Sequence, residues 1–446
     1  MKGRIGAVLA SLTLAVVALL APSPASADGG LGKASVKPVG TYGGIAYVEY
    51  NGIFQGRTST GQYRVPYRIT APADPDLANR TVLVEPPHPE EGLGALNTFL
   101  RRDFLLPRGF VHAGVGWSTA TRGPDGLGRI LDPTVPGVFI KGGVILNNAD
   151  GLPQDGRTDD EIIVDFARAL AVDGNAQSMI GRVDRRYLTG FSDSSGPVLR
   201  LITSGRAAGV FDFALPFLAW PGYDPQTALA AGRFGGKLIV VDSELEGAST
   251  DLVDRGGVPG QYRFYAVAGT PHLSDPLAPH PANSTTPASW QPALRAHFLQ
   301  GDKWVRAGKA PVPSTRLKTS DGVTLDRDGN GNAISVDAKG KRVPRLPFVE
   351  LGEAHYVVPS AVPSPDAFFL GSYDAVKTIA ELGFKSHDEY VKAFKKKVAD
   401  YVKAGYMLKE DADAMSRRAA LYPDLTFTET YRDHYPEFTA IVPCGP

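Results

Sequence analysis

A serine between small residues is the first group in this sequence that could do covalent chemistry. Residues 187–196 read YLTGFSDSSG, with Gly190 two residues before Ser192 and Ser194 two residues after it. A nucleophilic serine on a sharp turn from a strand to a helix needs small residues at both places, because the backbone folds back on itself there. The pattern predicts Ser192 as a nucleophile. A frame centred on Ser194, or a polar helix cap without chemistry, are the alternatives.

A base and its orienting carboxylate follow further along the chain. A serine nucleophile needs a general base, and the base needs an acid that holds it in place. His272 lies on a glycine-containing loop directly after a predicted strand, where such a base is expected. Three acidic residues that follow the preceding strand, Asp242, Glu244 and Glu246, are candidates for the acid. The order serine, carboxylate, histidine is the one found in α/β-hydrolases.

The elements that must hold these residues alternate between strand and helix. Short apolar runs predict strands at 81–85, 110–117, 186–189, 211–220, 237–241 and 262–267. Helices are predicted at 93–106, 162–172, 197–203 and 290–307, the second of them with a capping box at 158–161. This alternation indicates βαβ units and a mostly parallel sheet.

The chain on either side of this region has a different pattern. Residues 28–40 are predicted to be a loose leader, and 45–69 an antiparallel meander with turns at Asn51-Gly52 and Gly56. After residue 308, loops and hairpins are expected over 309–365 and helices over 372–421. In that last part Ser386 and Glu389 form a second capping box.

The N-terminus has the pattern of a secretory signal peptide. Lys2 and Arg4 precede an apolar run at 5–21, and Ala25-Ser26-Ala27 offers a cleavage site of small residues. We therefore predict cleavage after Ala27 and a secreted protein, with an uncleaved anchor as the alternative. No later stretch is expected to span a membrane.

The composition excludes several classes of protein and site. Of 446 residues, 47 are basic and 47 acidic, so the formal net charge is zero. A neutral chain without a long basic block argues against nucleic acid as a partner. The single cysteine, Cys444, excludes an intramolecular disulfide framework and a zinc site built from several thiolates.

An Asp-rich stretch at 326–337 has two interpretations. Its residues Asp326, Asp328, Asn330 and Asp337 have the spacing of calcium ligands in a helix-loop-helix site. The flanking sequence does not predict two helices, and the last ligand is Asp where a bidentate Glu is usual. A tight polar hairpin is the preferred interpretation, and calcium binding stays open as the alternative.

Several of these segments together resemble a family of bacterial α/β-hydrolase-domain proteins over about residues 45–425. The resemblance rests on GFSDS at 190–194, SELE at 243–246 and AGTPH at 268–272. A turn at 328–332 followed by RVP at 342–344 adds to it. The sequence departs from the family at Asp193, where glutamine is usual, and at Glu246, where aspartate is common.

The resemblance implies ester hydrolysis through an acyl-enzyme. Ser192 would attack the ester carbonyl and His272 would carry the proton. Glu246 aligns with the acid of the family and would orient the imidazole, with Glu244 and then Asp242 as the alternatives. The backbone N–H of Asp193 would contribute to the oxyanion hole. A second donor is expected in the loop at 86–90, where only His88 and Glu90 offer a free N–H beside the prolines.

We therefore predict a secreted serine hydrolase that acts on a small-molecule ester and needs no cofactor or metal. The expected fold is an α/β-hydrolase core at 28–308, with a mostly parallel central sheet flanked by helices and an N-terminal antiparallel meander. A C-terminal extension of hairpins and helices at 309–446 should pack on this core. An amidase or lactonase, and a non-catalytic secreted binding protein, are the alternatives; the natural substrate and oligomeric state are not predicted.

Overall fold

A long twisted sheet runs through the part of the chain that the computed structural model describes. That part is residues 29–423 apart from 90–91, 97–98, 101, 119–155, 250, 274–285, 287, 364–366, 375 and 421. Its strands are β1 (Gly30–Leu31), β2 (Ser35–Tyr42), β3 (Ile45–Thr58), β4 (Gly61–Pro72), β5 (Thr81–Val84), β6 (Val111–Val115), β7 (Arg185–Phe191), β8 (Phe213–Phe217), β9 (Lys237–Asp242), β10 (Tyr262–Ala266), β11 (Thr315–Leu317), β12 (Ser335–Asp337), β13 (Tyr356–Val357) and β14 (Ser372–Tyr373).

The centre of the sheet is parallel and its ends are antiparallel. The strand order is β1-β3-β4-β6-β5-β7-β8-β9-β10-β11-β12, and β2 pairs with β3 outside this path. The run from β6 to β11 is parallel throughout, while β1 to β4 join it antiparallel at one end. The predicted α/β-hydrolase fold, with a mostly parallel sheet and antiparallel N-terminal strands, is confirmed.

Helices lie on both faces of this sheet. They are α1 (Arg102–Leu105), α2 (Gly156–Val172), α3 (Gly174–Ile180), α4 (Ser195–Ser204), α5 (Pro225–Ala230), α6 (Glu244–Gly247), α7 (Gln291–Ala307), α8 (Pro347–Leu351), α9 (His387–Lys403) and α10 (Lys409–Ala419). In β5, Val82 and Val84 belong to the core that contains α2 and α4, and Leu83 belongs to the core that contains α7 and α9. Because both faces are covered, the central strands are apolar at successive positions.

Glycines in β3 admit tyrosine rings instead of making turns. The predicted turns at Asn51-Gly52 and Gly56 are wrong, since both lie inside β3 and the turn to β4 comes after Thr58. A Cβ on Gly52 would lie 2.7 Å from the Tyr67 hydroxyl, and one on Gly56 would lie 2.4 Å from the Tyr63 hydroxyl. Glycine is needed at both positions because a ring from β4 covers them.

Two further expectations for the first half of the chain are wrong. In the described part of 93–106, the predicted helix is replaced by a 3-10 turn at Gly92–Ala95, the four residues of α1 and a second 3-10 turn that begins at Leu106. Gly94 disfavours a continuous helix. Residues 28–40 are not loose throughout, since β1 and β2 within them pair with β3.

The predicted capping box at 158–161 is also wrong, because Thr158 already lies inside α2. Its hydroxyl forms a hydrogen bond of 3.1 Å with that of Thr60. The Glu161 carboxylate accepts a hydrogen bond of 2.7 Å from the Ser59 N–H. These side chains hold the tip of the β3–β4 hairpin against the helix.

The chain after residue 308 continues the same sheet. β11 pairs in parallel with β10. As its sequence predicts, α9 buries one face in the core that also contains α7, with Tyr390, Phe394, Val398 and Tyr401. Ser386 caps α9, accepting a hydrogen bond of 3.2 Å from the Glu389 N–H. The prediction of helix over all of 372–421 is wrong at its start, where β14 pairs with β13.

No helix among the described residues is both long enough and apolar enough to cross a bilayer.

Candidate active site

The predicted nucleophile occupies a strained turn between β7 and α4. Ser192 has φ of +52°, and only three non-glycine residues in the described part of the chain have positive φ. A left-handed backbone costs a residue with a side chain of order 1 kcal/mol or more, so the surrounding structure must hold it. A Cβ on Gly190 would lie 2.2 Å from the Ser194 carbonyl oxygen, which explains the small residue before the serine.

The two neighbouring serines hold this turn. The Ser194 hydroxyl accepts a hydrogen bond from the Phe191 N–H and donates one to the Phe191 carbonyl, both at 2.8 Å. The Ser195 hydroxyl donates to the Ser192 carbonyl at 2.6 Å. Ser194 is therefore committed to the backbone, whereas the Ser192 hydroxyl has no hydrogen-bond partner within the described residues.

A buried contact joins His272 to Glu246. The distance from His272 Nδ1 to Glu246 Oε1 is 2.6 Å, and both side chains are at least 96% inaccessible to solvent. The second carboxylate oxygen accepts a hydrogen bond of 2.5 Å from Ser243, the residue that caps α6. With Nδ1 occupied in this way, Nε2 is the ring nitrogen left for chemistry.

The imidazole lies against the serine turn through a ring contact. The ring centroids of Phe191 and His272 are 5.2 Å apart, and Phe191 directly precedes Ser192. Among the described residues no hydrogen bond joins Ser192 to His272. The structure thus brings the histidine and one carboxylate into direct contact, and places the serine turn beside them.

Glu244 holds the loop that carries His272 and does not face the imidazole. Its carboxylate accepts hydrogen bonds from the Gly269 N–H at 2.7 Å and from Arg327 at 3.0 Å. Its own N–H donates to the Thr270 carbonyl at 2.8 Å. Burial raises the pKa of the Glu244 carboxyl, and the Arg327 guanidinium opposes that shift.

Asp242, the third candidate acid, is buried without a cationic partner among the described residues. One carboxyl oxygen accepts a hydrogen bond of 2.9 Å from the Ala219 N–H, and the other has no partner in the described part of the chain. Burial raises the pKa of this carboxyl well above its usual range, and the charge of Glu246 acts in the same direction. Of the three candidates, only Glu246 meets the histidine.

The loop after β5 lies beside the serine turn. The His88 ring is 5.7 Å from the Phe191 ring, and the Pro87 carbonyl accepts a hydrogen bond of 2.8 Å from the Trp117 indole. Asp193 directly follows Ser192 in the 3-10 turn that leads into α4. The candidate donor Glu90 lies outside the described residues, so His88 is the described candidate for a second oxyanion donor.

Three aromatic rings around His272 were missed by sequence reasoning. Besides Phe191, Trp220 lies 5.2 Å from the imidazole and Phe369 lies 5.3 Å from it. Trp220 follows β8 and so lies at the same edge of the sheet as the loops after β7 and β9. Its position in the sequence could therefore have predicted that it lies near the site. Phe369 comes from a part of the chain that no local pattern links to the site.

The other histidines that lie near the sheet have different surroundings. His112 in β6 contacts the Glu85 carboxylate at 2.6 Å. His297 is fully buried in α7 against the Tyr265 ring, and burial lowers its pKa to about 3. Neither contacts the pair of His272 and Glu246.

The Asp-rich stretch forms the predicted polar hairpin. Arg327 and Ala333 pair across it as an antiparallel bridge. Its carboxylates are hydrogen-bonded to the surrounding chain: Asp326 to Lys318, Asp328 to Arg345, and Asp337 to the Lys339 N–H. Over the described residues, no group of three or more His, Cys, Asp or Glu side chains could hold a metal ion.

Comparison with known proteins places most of the chain in a family. A sequence profile described as alpha/beta hydrolase domain matches residues 47–417, which include Ser192, Glu246 and His272. No curated protein matches the chain significantly.

Solved structures that resemble this chain do so weakly. A cold-adapted esterase from an Arctic intertidal metagenomic library is 15% identical, with 48% of this chain and 77% of that chain covered and a TM-score of 0.29. An S-formylglutathione hydrolase from Agrobacterium tumefaciens is 12% identical, with 52% and 90% covered and a TM-score of 0.31. A glucuronoyl esterase from Solibacter usitatus is 12% identical, with 49% and 71% covered and a TM-score of 0.28.

The buried carboxyl of Asp242 should make stability fall as pH rises. The pKa of Asp242 is raised in the folded chain. Between the unfolded pKa of about 3.9 and this raised value, the carboxyl is protonated in the folded chain and ionised in the unfolded one, so folding takes up a proton. Asp242→Asn keeps an acceptor for the Ala219 N–H and removes this proton uptake. We expect the free energy of unfolding of the variant, relative to the wild type, to increase from pH 4.5 towards pH 8 in denaturant titrations.

Asp321→Asn is the matched control for this prediction. The N–H of Val323 lowers the pKa of Asp321 to about 2, so this carboxylate is charged in both states above pH 4.5. Its variant should differ from the wild type by an amount that does not change between pH 4.5 and 8. A constant difference for Asp242→Asn as well would contradict the prediction.

Proposed function

The chain belongs to the alpha/beta hydrolase domain family, and from that premise we propose that it cleaves carboxylic esters of small molecules with a Ser-His-Glu triad. The observation that carries the proposal is the buried contact of 2.6 Å between His272 and Glu246, beside the strained turn that presents Ser192. A buried imidazole and carboxylate at hydrogen-bond distance are the two parts that activate a serine.

In the proposed reaction, Ser192 Oγ attacks the ester carbonyl while His272 Nε2 accepts the hydroxyl proton. The same nitrogen then gives the proton to the departing alcohol oxygen, which leaves an acyl group on Ser192. A water molecule repeats the sequence and releases the carboxylic acid. The proposal requires Ser192 and His272 to form their hydrogen bond when the ester is bound. Glu246 keeps the Nδ1 proton in place and stabilises the imidazolium.

The developing oxyanion would be bound by backbone N–H groups. The N–H of Asp193 lies at the start of the turn into α4, where a helix N-terminus favours negative charge. The second donor would be the His88 N–H, because its loop contacts the serine turn and its neighbours Pro87 and Pro89 have no N–H.

Labelling with a fluorophosphonate tests the nucleophile. We expect the wild type and Ser194→Ala to be labelled and Ser192→Ala to remain unlabelled, because only Ser192 has a hydroxyl free of the turn. Labelled protein would be measured by in-gel fluorescence, with folding of each variant checked by circular dichroism. Labelling that survives Ser192→Ala and disappears in folded Ser194→Ala would identify Ser194 as the nucleophile instead. No labelling of the wild type would favour a non-catalytic binding protein.

Two conservative substitutions test the acid. Glu246→Gln should lower kcat by roughly 10³- to 10⁴-fold, because an amide does not hold the productive tautomer or stabilise the imidazolium. Glu244→Gln has the same chemistry two residues away, but it alters a contact with Gly269 and Arg327. It should lower kcat less than 10-fold, which is a small effect beside the loss in Glu246→Gln. Equal losses in two folded variants, measured on a methyl ester, would contradict the assignment.

Export belongs to the same proposal, and the sequence of residues 1–27 supports it. The charged start, the apolar run and the small residues before Asp28 are the three parts of a secretory signal peptide, and the small residues are its cleavage site. N-terminal sequencing of protein recovered from the medium of an expressing bacterium should begin at Asp28. Material that stays with the membrane and begins at Met1 would favour the uncleaved anchor.

A further inference from the structure

An aromatic surface extends from the imidazole of His272 to solvent. The Trp220 indole lies nearly parallel to the imidazole, at 16° and 5.2 Å between centroids. The Phe368 ring lies nearly parallel to the same indole, at 19° and 6.3 Å. We call Trp220 and Phe368 the aromatic platform. Its two rings form a stepped stack that begins at the reactive base.

The outer part of this platform is exposed apolar surface. Phe368 is 54% exposed, and Leu273, the residue after the histidine, is 38% exposed. Only six large hydrophobic side chains are this exposed in the described part of the chain; of these two, Leu273 directly follows His272 and Phe368 stacks on the Trp220 ring that lies against the imidazole. Apolar surface that stays in water beside a reactive group is typical of a binding surface.

The backbone under the platform is fixed relative to His272. The Leu273 N–H donates a hydrogen bond of 2.8 Å to the Phe369 carbonyl, and Leu273 pairs with Leu370 as a parallel bridge. A Cβ on Gly371 would lie 3.2 Å from the Pro271 ring, so the backbone at Gly371 packs against that side chain. The segment that carries Phe368 is thus tied to the loop of the base, and a surface held in this way loses little entropy on binding.

The proposed mechanism decides which part of the ester can reach this surface. His272 gives its proton to the oxygen of the leaving alcohol, so that alcohol must lie next to the imidazole at that moment. The acyl part is held instead at Ser192 and the oxyanion donors. A group stacked on Trp220 therefore belongs to the alcohol part of the substrate.

We propose that the aromatic platform is the subsite for the alcohol part, and that the substrate class is esters of alcohols with a flat aromatic or extended apolar group. The inference rests on the proposed function. Aromatic rings prefer the offset stacking that Trp220 and Phe368 already show, and a third ring continues that arrangement.

Three esters separate this subsite from general reactivity. 2-Naphthylmethyl acetate carries the ring on the alcohol side, and methyl 2-naphthylacetate carries it on the acyl side. Methyl acetate has no ring on either side. Both alcohols are aliphatic, so the leaving groups differ little in intrinsic reactivity. The wild type should have a kcat/KM for 2-naphthylmethyl acetate at least tenfold above that for methyl acetate.

Phe368→Ala should lower kcat/KM for 2-naphthylmethyl acetate about fivefold or more, mainly through KM, because it removes binding surface and leaves the triad in place. The values for the other two esters should change less than twofold, and Phe368→Tyr should restore the wild-type preference. Leu77→Ala is the matched control, since Leu77 is 51% exposed in the 3-10 turn Pro75–Leu77, before β5. It should change none of the three values.

Other outcomes would overturn the inference in distinguishable ways. A loss confined to methyl 2-naphthylacetate would assign the platform to the acyl part. Equal losses for all three esters would show that Phe368 only supports the fold. A wild type that hydrolyses methyl acetate without preferring the naphthylmethyl ester would overturn this inference and leave the proposed function standing. A wild type inactive on every ester would overturn the proposed function itself.

Discussion

The buried contact between Glu246 and His272 is the interaction on which the rest of the site depends. Removing a charged carboxylate from water costs several kcal/mol unless hydrogen bonds replace the lost solvent. Glu246 has two such bonds, from the imidazole and from Ser243, so its position is fixed at both oxygens. The contact also requires that the loops after β9 and β10 meet, which the parallel register of those strands provides, with Asp242 opposite Ala266.

The chain after residue 308 takes part in holding that contact. Arg327 lies in the polar hairpin and reaches the Glu244 carboxylate, which in turn accepts the N–H of Gly269 three residues before His272. Arg345, just before α8, ties the same hairpin to that helix through Asp328 in the hairpin and Glu350 in α8. The loop of the base is therefore held in part by residues more than fifty positions away along the chain.

Local patterns were sufficient for some features and insufficient for others. The central strands and the turn at Ser192 were predictable because their signals, apolar runs and small residues at fixed spacing, lie within ten residues. The turns assigned to Gly52 and Gly56 failed because glycine also admits a neighbouring ring, and only strand pairing shows that Tyr67 and Tyr63 cover them. Trp220 follows β8, so its position in the sequence could have placed it near the site, whereas Phe369 could not be placed by sequence because its contact with His272 is entirely tertiary.

The three acidic residues after β9 show how far environment decides the role of a carboxyl group. Asp242 is buried near the charge of Glu246, so its pKa rises although the Ala219 N–H acts in the opposite direction. Glu244 has a guanidinium and an N–H, and it holds a loop. Glu246 has an imidazole and a hydroxyl. The groups lie within five residues, and the sequence ranks them only weakly. The different roles of the three carboxyl groups follow from the partners that β8, β10 and the polar hairpin bring to each one. Moving the acid by two residues along this loop would therefore require new partners for the carboxylate as well.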